Sequence, residues 1–198
     1  MGQDDLCSRI HQAAELSLPA SVVTIGAFDG VHRGHQLLIS TTTARARSLG
    51  IPAVVYTFDV APKAYFGRAE PLVTLAEKLT RISSFGPDVI VVARFDESYA
   101  KRSAEDFLDE LACLNPLSVV VGGDFAFGSC KTGDTTRLAS RFHTIVVPPV
   151  RCAEGKVVSS TRIRELRRAG SARLAGALEG WMEAFNPADV VPYVSGAA

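Results

Sequence analysis

Apolar residues along this chain fall into short continuous runs, separated by stretches in which they recur every three or four positions. The runs predict buried strands at Val22–Ile25, Ile51–Phe58, Asp88–Ala93, Leu117–Val121 and His143–Val147. The helical spacing between them predicts four helices. The first follows Leu37, Leu38 and Ile39 through Thr41, Ala44 and Ala46 to a stop at Gly50. The second covers Thr74–Ser84, with Leu75, Leu79 and Ile82 on one face, and the third Ser103–Cys113. Thr74 with Glu77, and Ser103 with Asp106, have the spacing of N-terminal capping pairs. The last helical region runs from Ser160 to about Leu178 and breaks near Gly170.

Residues 1–20 read as a partly helical lead-in, residues 59–71 as a loop and residues 186–198 as a flexible tail. Alternating strands and helices predict an α/β fold: a doubly wound, mostly parallel five-stranded sheet in a single domain spanning 1–198. Ligands on such sheets sit outside the carboxyl ends of the strands. The turns at 26–35 and 122–133 would both open on that edge.

The first of those turns carries the most specific chemistry. After the apolar run come Gly26, Gly30 and Gly34, with His32 and His35 where the turn becomes a helix. Strand, glycine-bearing turn and helix start together aim backbone N–H groups and a helix dipole at an anion. Gly34 leaves the backbone open to close approach by a phosphate. A lone histidine at such a place is more often a cap; a His-x-Gly-His cluster is harder to assign to packing.

Two further clusters follow. Residues 122–134 (GGDFAFGSCKTGD) have P-loop glycine spacing from Gly123 to Gly128, but Ser129 stands where lysine is required, which rules out a Walker site. What remains is a glycine-framed loop with Asp124, Phe125 and Phe127, whose two rings, two residues apart, would point opposite ways in extended chain. Residues 158–164 (VSSTRIR) place hydroxyls and arginines at a helix start, a second anion site or an ordinary cap.

Composition narrows the partners. Hydrophobic residues make up 47% of 198, enough for a globular core. Basic and acidic residues number 21 each, so nothing in the overall charge draws the chain to nucleic acid or an acidic membrane. No apolar run approaches the ~20 residues of a membrane span. The N-terminus lacks the regions of a signal peptide, and the four scattered cysteines suggest free thiols rather than zinc ligands, so a cytoplasmic location is expected.

The segments IGAFDGVHRGH (25–35), YTFD (56–59), LVTLAEKL (72–79), FDESYAKRSAEDF (95–107), VVVGGDFAFGSCKTGD (119–134) and VSSTRIR (158–164) together resemble the adenylyltransferase module of bacterial bifunctional riboflavin kinase/FMN adenylyltransferases. That family lies within the nucleotidylyltransferase superfamily, with its Rossmann-like fold. The resemblance implies transfer of AMP from ATP to FMN, giving FAD and pyrophosphate, with Mg²⁺ accompanying ATP. It implies His32, His35 and Arg164 as catalytic residues, and Gly26, Phe28, Asp29, Gly34, Gly122, Asp124, Ser160 and Thr161 as nucleotide-binding ones. Ser160, Thr161 and Arg164 would hold the β- and γ-phosphates. Phe58, Asp59, Phe125 and Phe127 would lie on the acceptor side.

There are two departures from the family. Val60-Ala61-Pro62 replaces the usual Pro-x-Pro turn, and no riboflavin kinase domain follows, so a separate kinase is an expected partner. Another phosphate-monoester acceptor, and a non-catalytic nucleotide- or flavin-binding protein, remain as alternative readings.

Overall fold

In the computed structural model, residues 8–13 and 16–180 are described, so the expected tail at 186–198 lies outside them. Six strands form one sheet: β1 (Arg9–Gln12), β2 (Ser21–Ile25), β3 (Ala53–Phe58), β4 (Val89–Ala93), β5 (Pro116–Gly122) and β8 (Thr144–Val147). Their order is β1-β4-β3-β2-β5-β8, and every neighbouring pair is parallel. From β2 the chain steps outward through β3 to β4. It then returns to lay β5 on the other flank of β2. Strand order therefore reverses at β2, and the crevice beyond the ends of β2 and β5 is the topological switch point.

The strands are apolar on both faces because both faces are covered. Val23, Ile25, Val54, Tyr56, Val119 and Val121 point to the side packed by α5 (Ala104–Ala112), through Phe107, Leu108 and Leu111. On the other side, Val22, Ala53 and Val120 meet Leu37 and Ala46 of α1 (Arg33–Leu49). Val55 and Ile90 meet Ile39 of α1 and Ile82 of α3 (Leu75–Ser83). A satellite cluster joins Leu72 to α7 (Ser160–Arg168) and α8 (Ala172–Glu179) through Val158, Ile163, Ala175 and Leu178.

Local signals stop and start the helices as their chemistry predicts. The Thr74 hydroxyl accepts from Glu77 N at 3.2 Å, and Ser103 with Asp106 completes a reciprocal capping box. Gly50, at φ 65°, ends α1 by donating back to Ala46 and Arg47 carbonyls.

The sheet has six strands rather than five. The added one, β1, comes from the described part of the segment expected to be a helical lead-in. It is an exposed edge strand whose one aliphatic side chain, Ile10, is itself exposed, so no apolar alternation marks it. The loop at 59–71 contains the short helix α2 (Pro62–Tyr65), and α4 (Glu97–Ala100) follows β4. After β5 the chain folds a two-residue hairpin, β6 (Ala126–Phe127) with β7 (Gly133–Asp134), leading into α6 (Thr135–Ala139).

That hairpin closes tightly on itself. A Cβ added at Gly133 would lie 2.5 Å from the ring of the buried Phe127. Gly133→Ala should therefore destabilise the protein by about 1–3 kcal/mol, read as a lowered midpoint in urea unfolding.

Candidate active site at the switch point

The turn leaving β2 is wound against its own preferences. Phe28 (φ 47°) and Val31 (φ 45°) are left-handed, as is Gly30 (φ 80°) between them. For a β-branched residue such as Val31 this geometry is an outlier costing on the order of 1–3 kcal/mol, and strain of that kind gathers at functional sites. Packing holds it in place. Phe28 and Val31 are buried beside Ile39, Val55 and Ile82, the Phe28 ring fills the space a side chain at Gly26 would need, and Leu72 does the same at Gly30.

The strained turn delivers His32 and His35 to the start of α1. Their rings stack with centroids 3.6 Å apart, and Phe28 meets His35 edge-on at 5.3 Å. His32 occupies the N-cap position of α1 without a side-chain hydrogen bond to the helix amides. Both Nδ1 atoms are sealed from solvent and unpartnered among the described residues. Burial pushes His32 down to about 4, with the Arg164 charge adding to the effect. Burial, with the charges of His32 and Lys78, holds His35 well below the ordinary histidine value. Both imidazoles are therefore neutral at pH 7.

The second anion cluster converges on the first. Ser159 accepts from Arg162 N at 3.3 Å as the N-cap of α7. Ser160 Oγ donates to the Asp29 carbonyl at 2.9 Å, and a Cβ at Gly34 would come within 3.7 Å of the Val158 carbonyl. Arg164 and Asp29, both buried, form an ion pair. The other Asp29 oxygen accepts from Leu72 N at 2.9 Å, while Arg164 Nε donates to the Glu70 carbonyl at 2.7 Å. The N-termini of α1 and α7 thus lie side by side.

Three of the expected site residues are buried in this geometry. Arg164 donates to Asp29 and to the Glu70 carbonyl, which ties α7 to the turn. Asp29 is held between Arg164 and Leu72 N. Phe28 is fully buried, its ring edge-on to His35. Thr161 is exposed at the α7 start, where Lys63 Nζ reaches its hydroxyl at 3.3 Å from across the 59–71 segment.

At the end of β5, Asp124 is exposed in a turn closed by Phe125 N to the Gly122 carbonyl at 3.1 Å, and Gly122 is close-packed against the Asp124 carboxylate. Phe125 and Phe127 do not diverge: their rings stack at 5.5 Å, because Phe125 lies in the turn, outside the strand alternation. Phe127 is buried against Phe107 and belongs to the core, and Phe125 packs on the same cluster.

Beyond β3, Phe58 stands in an aromatic wall with Phe95 and Tyr99, and Tyr65 and Phe66 extend it outward over Phe95. The wall is braced from behind: Tyr56 donates to Glu110, Glu110 pairs with Arg102, and the Tyr56 and Tyr99 hydroxyls lie 2.9 Å apart. Asp59 Oδ1 accepts from Val60 N and Phe95 N at 2.6 and 2.8 Å, fastening the loops that carry the wall.

Two residues near the site went unnoticed in the sequence, Lys63 and Lys78. Lys78 is buried and donates to the Ala27 and Phe58 carbonyls. Its sequence signal is visible in hindsight: it lies three residues after Leu75 and four before Ile82, a lysine inside an apolar helical stripe.

The sequence pattern of one protein family, FAD synthetase, matches residues 15–162. The chain belongs to the FAD synthetase family. It is 46% identical over 174 residues to a Geobacillus thermodenitrificans protein named for both riboflavin kinase and FMN adenylyltransferase, covering 87% of this chain and 97% of that one. It is 34% and 31% identical to the bifunctional riboflavin kinase/FMN adenylyltransferases of Haemophilus influenzae and Escherichia coli. In each case 86% of this chain aligns with 58% of the relative. A crystal structure titled as a macrolide-efflux protein from Streptococcus pneumoniae shares the FAD synthetase chain's fold, with a TM-score of 0.76 and 31% identity over 86% of this chain and 60% of that one. No described helix here is long and apolar enough to cross a membrane.

Two outcomes follow from this FAD synthetase site. Breaking the buried pair with Arg164→Met leaves Asp29 uncompensated and should cost about 3–5 kcal/mol, whereas removing both charges with Asp29→Asn added should recover part of that loss in chemical denaturation. The histidines set an acid limit. Unfolded His32 binds its proton near pH 6.5 and folded His32 only near 4, so the unfolded state holds more protons between those values. Stability should therefore be full above pH 6.5 and fall as pH drops toward 4, by up to about 3 kcal/mol from His32 alone, measured by thermal melts of wild type against His32→Gln.

Proposed function

We propose that the chain transfers AMP from ATP to the phosphate of FMN, releasing pyrophosphate and forming FAD. The observation that carries this reading is the meeting of two neutral, stacked histidines at the α1 N-terminus with the α7 N-terminus, tied by Ser160 to the Asp29 carbonyl. In a chain with zero net charge, that gathers helix-end amides and Lys63 into one local anion site. Family membership makes the expected chemistry nucleotidyl transfer.

A phosphate oxygen of FMN attacks the α-phosphorus in line, one P–O bond forms, and the bond to the β-phosphate oxygen breaks as pyrophosphate leaves. No group on the protein is covalently modified. His32 and His35 hold the α-phosphate region and gain donor strength as phosphate charge raises their basicity. The N-terminal turns of α1 and α7, with Ser160 and Thr161, hold the outer phosphates, and Thr161 takes phosphate in exchange for Lys63. Gly34 keeps the first turn of α1 clear of a side chain, Gly26 and Gly122 give room to the Phe28 ring and the Asp124 carboxylate, and Asp124 lies at the nucleotide edge. The aromatic wall of Phe58, Phe95 and Tyr99 suits a flat conjugated acceptor such as a flavin. The divalent cation of an ATP-using transferase would accompany the triphosphate and neutralise the departing pyrophosphate.

The acceptor is the product of the riboflavin kinase activity named in the curated relatives, which supplies the expected partner reaction. Mixing the protein with MgATP and FMN should give equimolar FAD and pyrophosphate by chromatography, and His35→Asn should lower turnover on the order of 10²–10³-fold. Pyrophosphate released only with another phosphate monoester would reassign the acceptor. ATP binding with no turnover would leave a non-catalytic nucleotide-binding protein.

A further inference from the structure

Lys78 is a cation placed where burial disfavours it. It sits on the inner face of α3, 4% exposed, and its Nζ donates to the Ala27 carbonyl at 3.4 Å and to the Phe58 carbonyl. The Phe58 carbonyl ends β3 and the Ala27 carbonyl lies two residues past β2, at the start of the turns that carry the aromatic wall and the histidines. Thr57 Oγ1 also reaches the Ala27 carbonyl, at 3.3 Å, so this junction is cross-tied from two sides.

The titratable groups facing Lys78 come from several elements: the carboxylates of Asp29 in the strained turn and Asp59 after β3, and the neutral imidazole of His35 on α1. On its own helix, Arg81 pairs with Glu77 and donates to the Gly30 carbonyl at 2.9 Å. Asp29 is neutralised by Arg164, and Asp59 Oδ1 is occupied by two backbone amides. Neither carboxylate forms a hydrogen-bonded ion pair with Lys78 among the bonds of the described residues. A core position of this kind would be filled better by leucine or methionine if packing were its whole purpose.

We propose that Lys78 is a positioning residue for nucleotidyl transfer: it ties the end of β3 to the turn just past β2 and keeps a positive charge near His35 at pH 7, where triphosphate would bind. The inference rests on the function proposed above. It adds to it a group that does not touch substrate but acts through Ala27, Phe58 and His35. An unmet portion of its charge is what makes it useful. Phosphate brings the missing negative charge, and the low-dielectric surroundings make that attraction stronger than it would be at the surface. Burial pushes the ammonium down to about 8, opposed by Asp29 and Asp59, so the charge is lost within an accessible pH range.

The test compares wild type with Lys78→Met, which removes donor and charge, and Lys78→Gln, which keeps a donor and removes only charge. Wild-type kcat/KM for MgATP should fall above pH 8 as free Lys78 loses its proton. Both variants should lose that alkaline limb and show kcat/KM lowered on the order of 10–100-fold at pH 7, with KM for FMN changed less than about threefold. Either variant, if folded, overturns the proposal by matching wild type within about threefold or by retaining the alkaline limb. A wild-type protein that makes no FAD refutes the acceptor reading alone. Calorimetric MgATP affinity from roughly pH 6 to 9 then decides on Lys78 by the same limb, present in wild type and absent in the variants.

Discussion

A carboxylate taken out of water needs a partner, and in this fold the demand falls on Asp29. It lies inside a turn that no run of ordinary L-residues would choose, with left-handed residues on both sides. Its two oxygens are met from separate parts of the chain, by Leu72 N and by Arg164. Once those bonds form, the turn cannot relax, α7 cannot drift, and the histidines are carried to the end of α1 in stacked register. The stacking itself depends on neutrality, since two imidazolium rings 3.6 Å apart would repel strongly. Burial supplies the neutrality, and the ion pair supplies the geometry.

The division of labour differs from a simple inventory of polar residues. Arginine and aspartate, the most strongly charged members of the motifs, are spent on architecture. The groups around them at the two helix starts are weaker ones: backbone amides, imidazole nitrogens and hydroxyls. Under the function proposed, such groups, cheaper to desolvate than full charges, would strengthen on meeting a phosphate. The buried lysine under them supplies charge without exposing it to solvent counterions.

Much of this was legible in the sequence. Five strands and their flanking helices follow from apolar runs such as Val22–Ile25 and from the caps at Thr74 and Ser103, because those signals are local. The His-x-Gly-His turn was legible for the same reason. What escaped was decided at long range. Arg9–Gln12 has no apolar alternation, and only pairing with β4 makes it a strand. Nothing in VSSTRIR reveals that Arg164 pairs with Asp29, 135 positions earlier. The rings of Phe125 and Phe127 stack because a turn replaces extended chain, and no spacing rule anticipates that. Lys78 was readable as a charge in an apolar stripe but not as a tie between two strand ends.

The span between Asp29 and Arg164 also bears on how the molecule comes into being. A ribosome releases Asp29 long before Arg164, and strands β2 to β5 can assemble in the interval, since their ladders require nothing beyond residue 122. Throughout that interval Leu72 can already meet one carboxylate oxygen, while the other has no guanidinium to pair with. The sheet can therefore acquire much of its core before the turn is sealed, and the docking of α7 completes the pairing that buries Asp29.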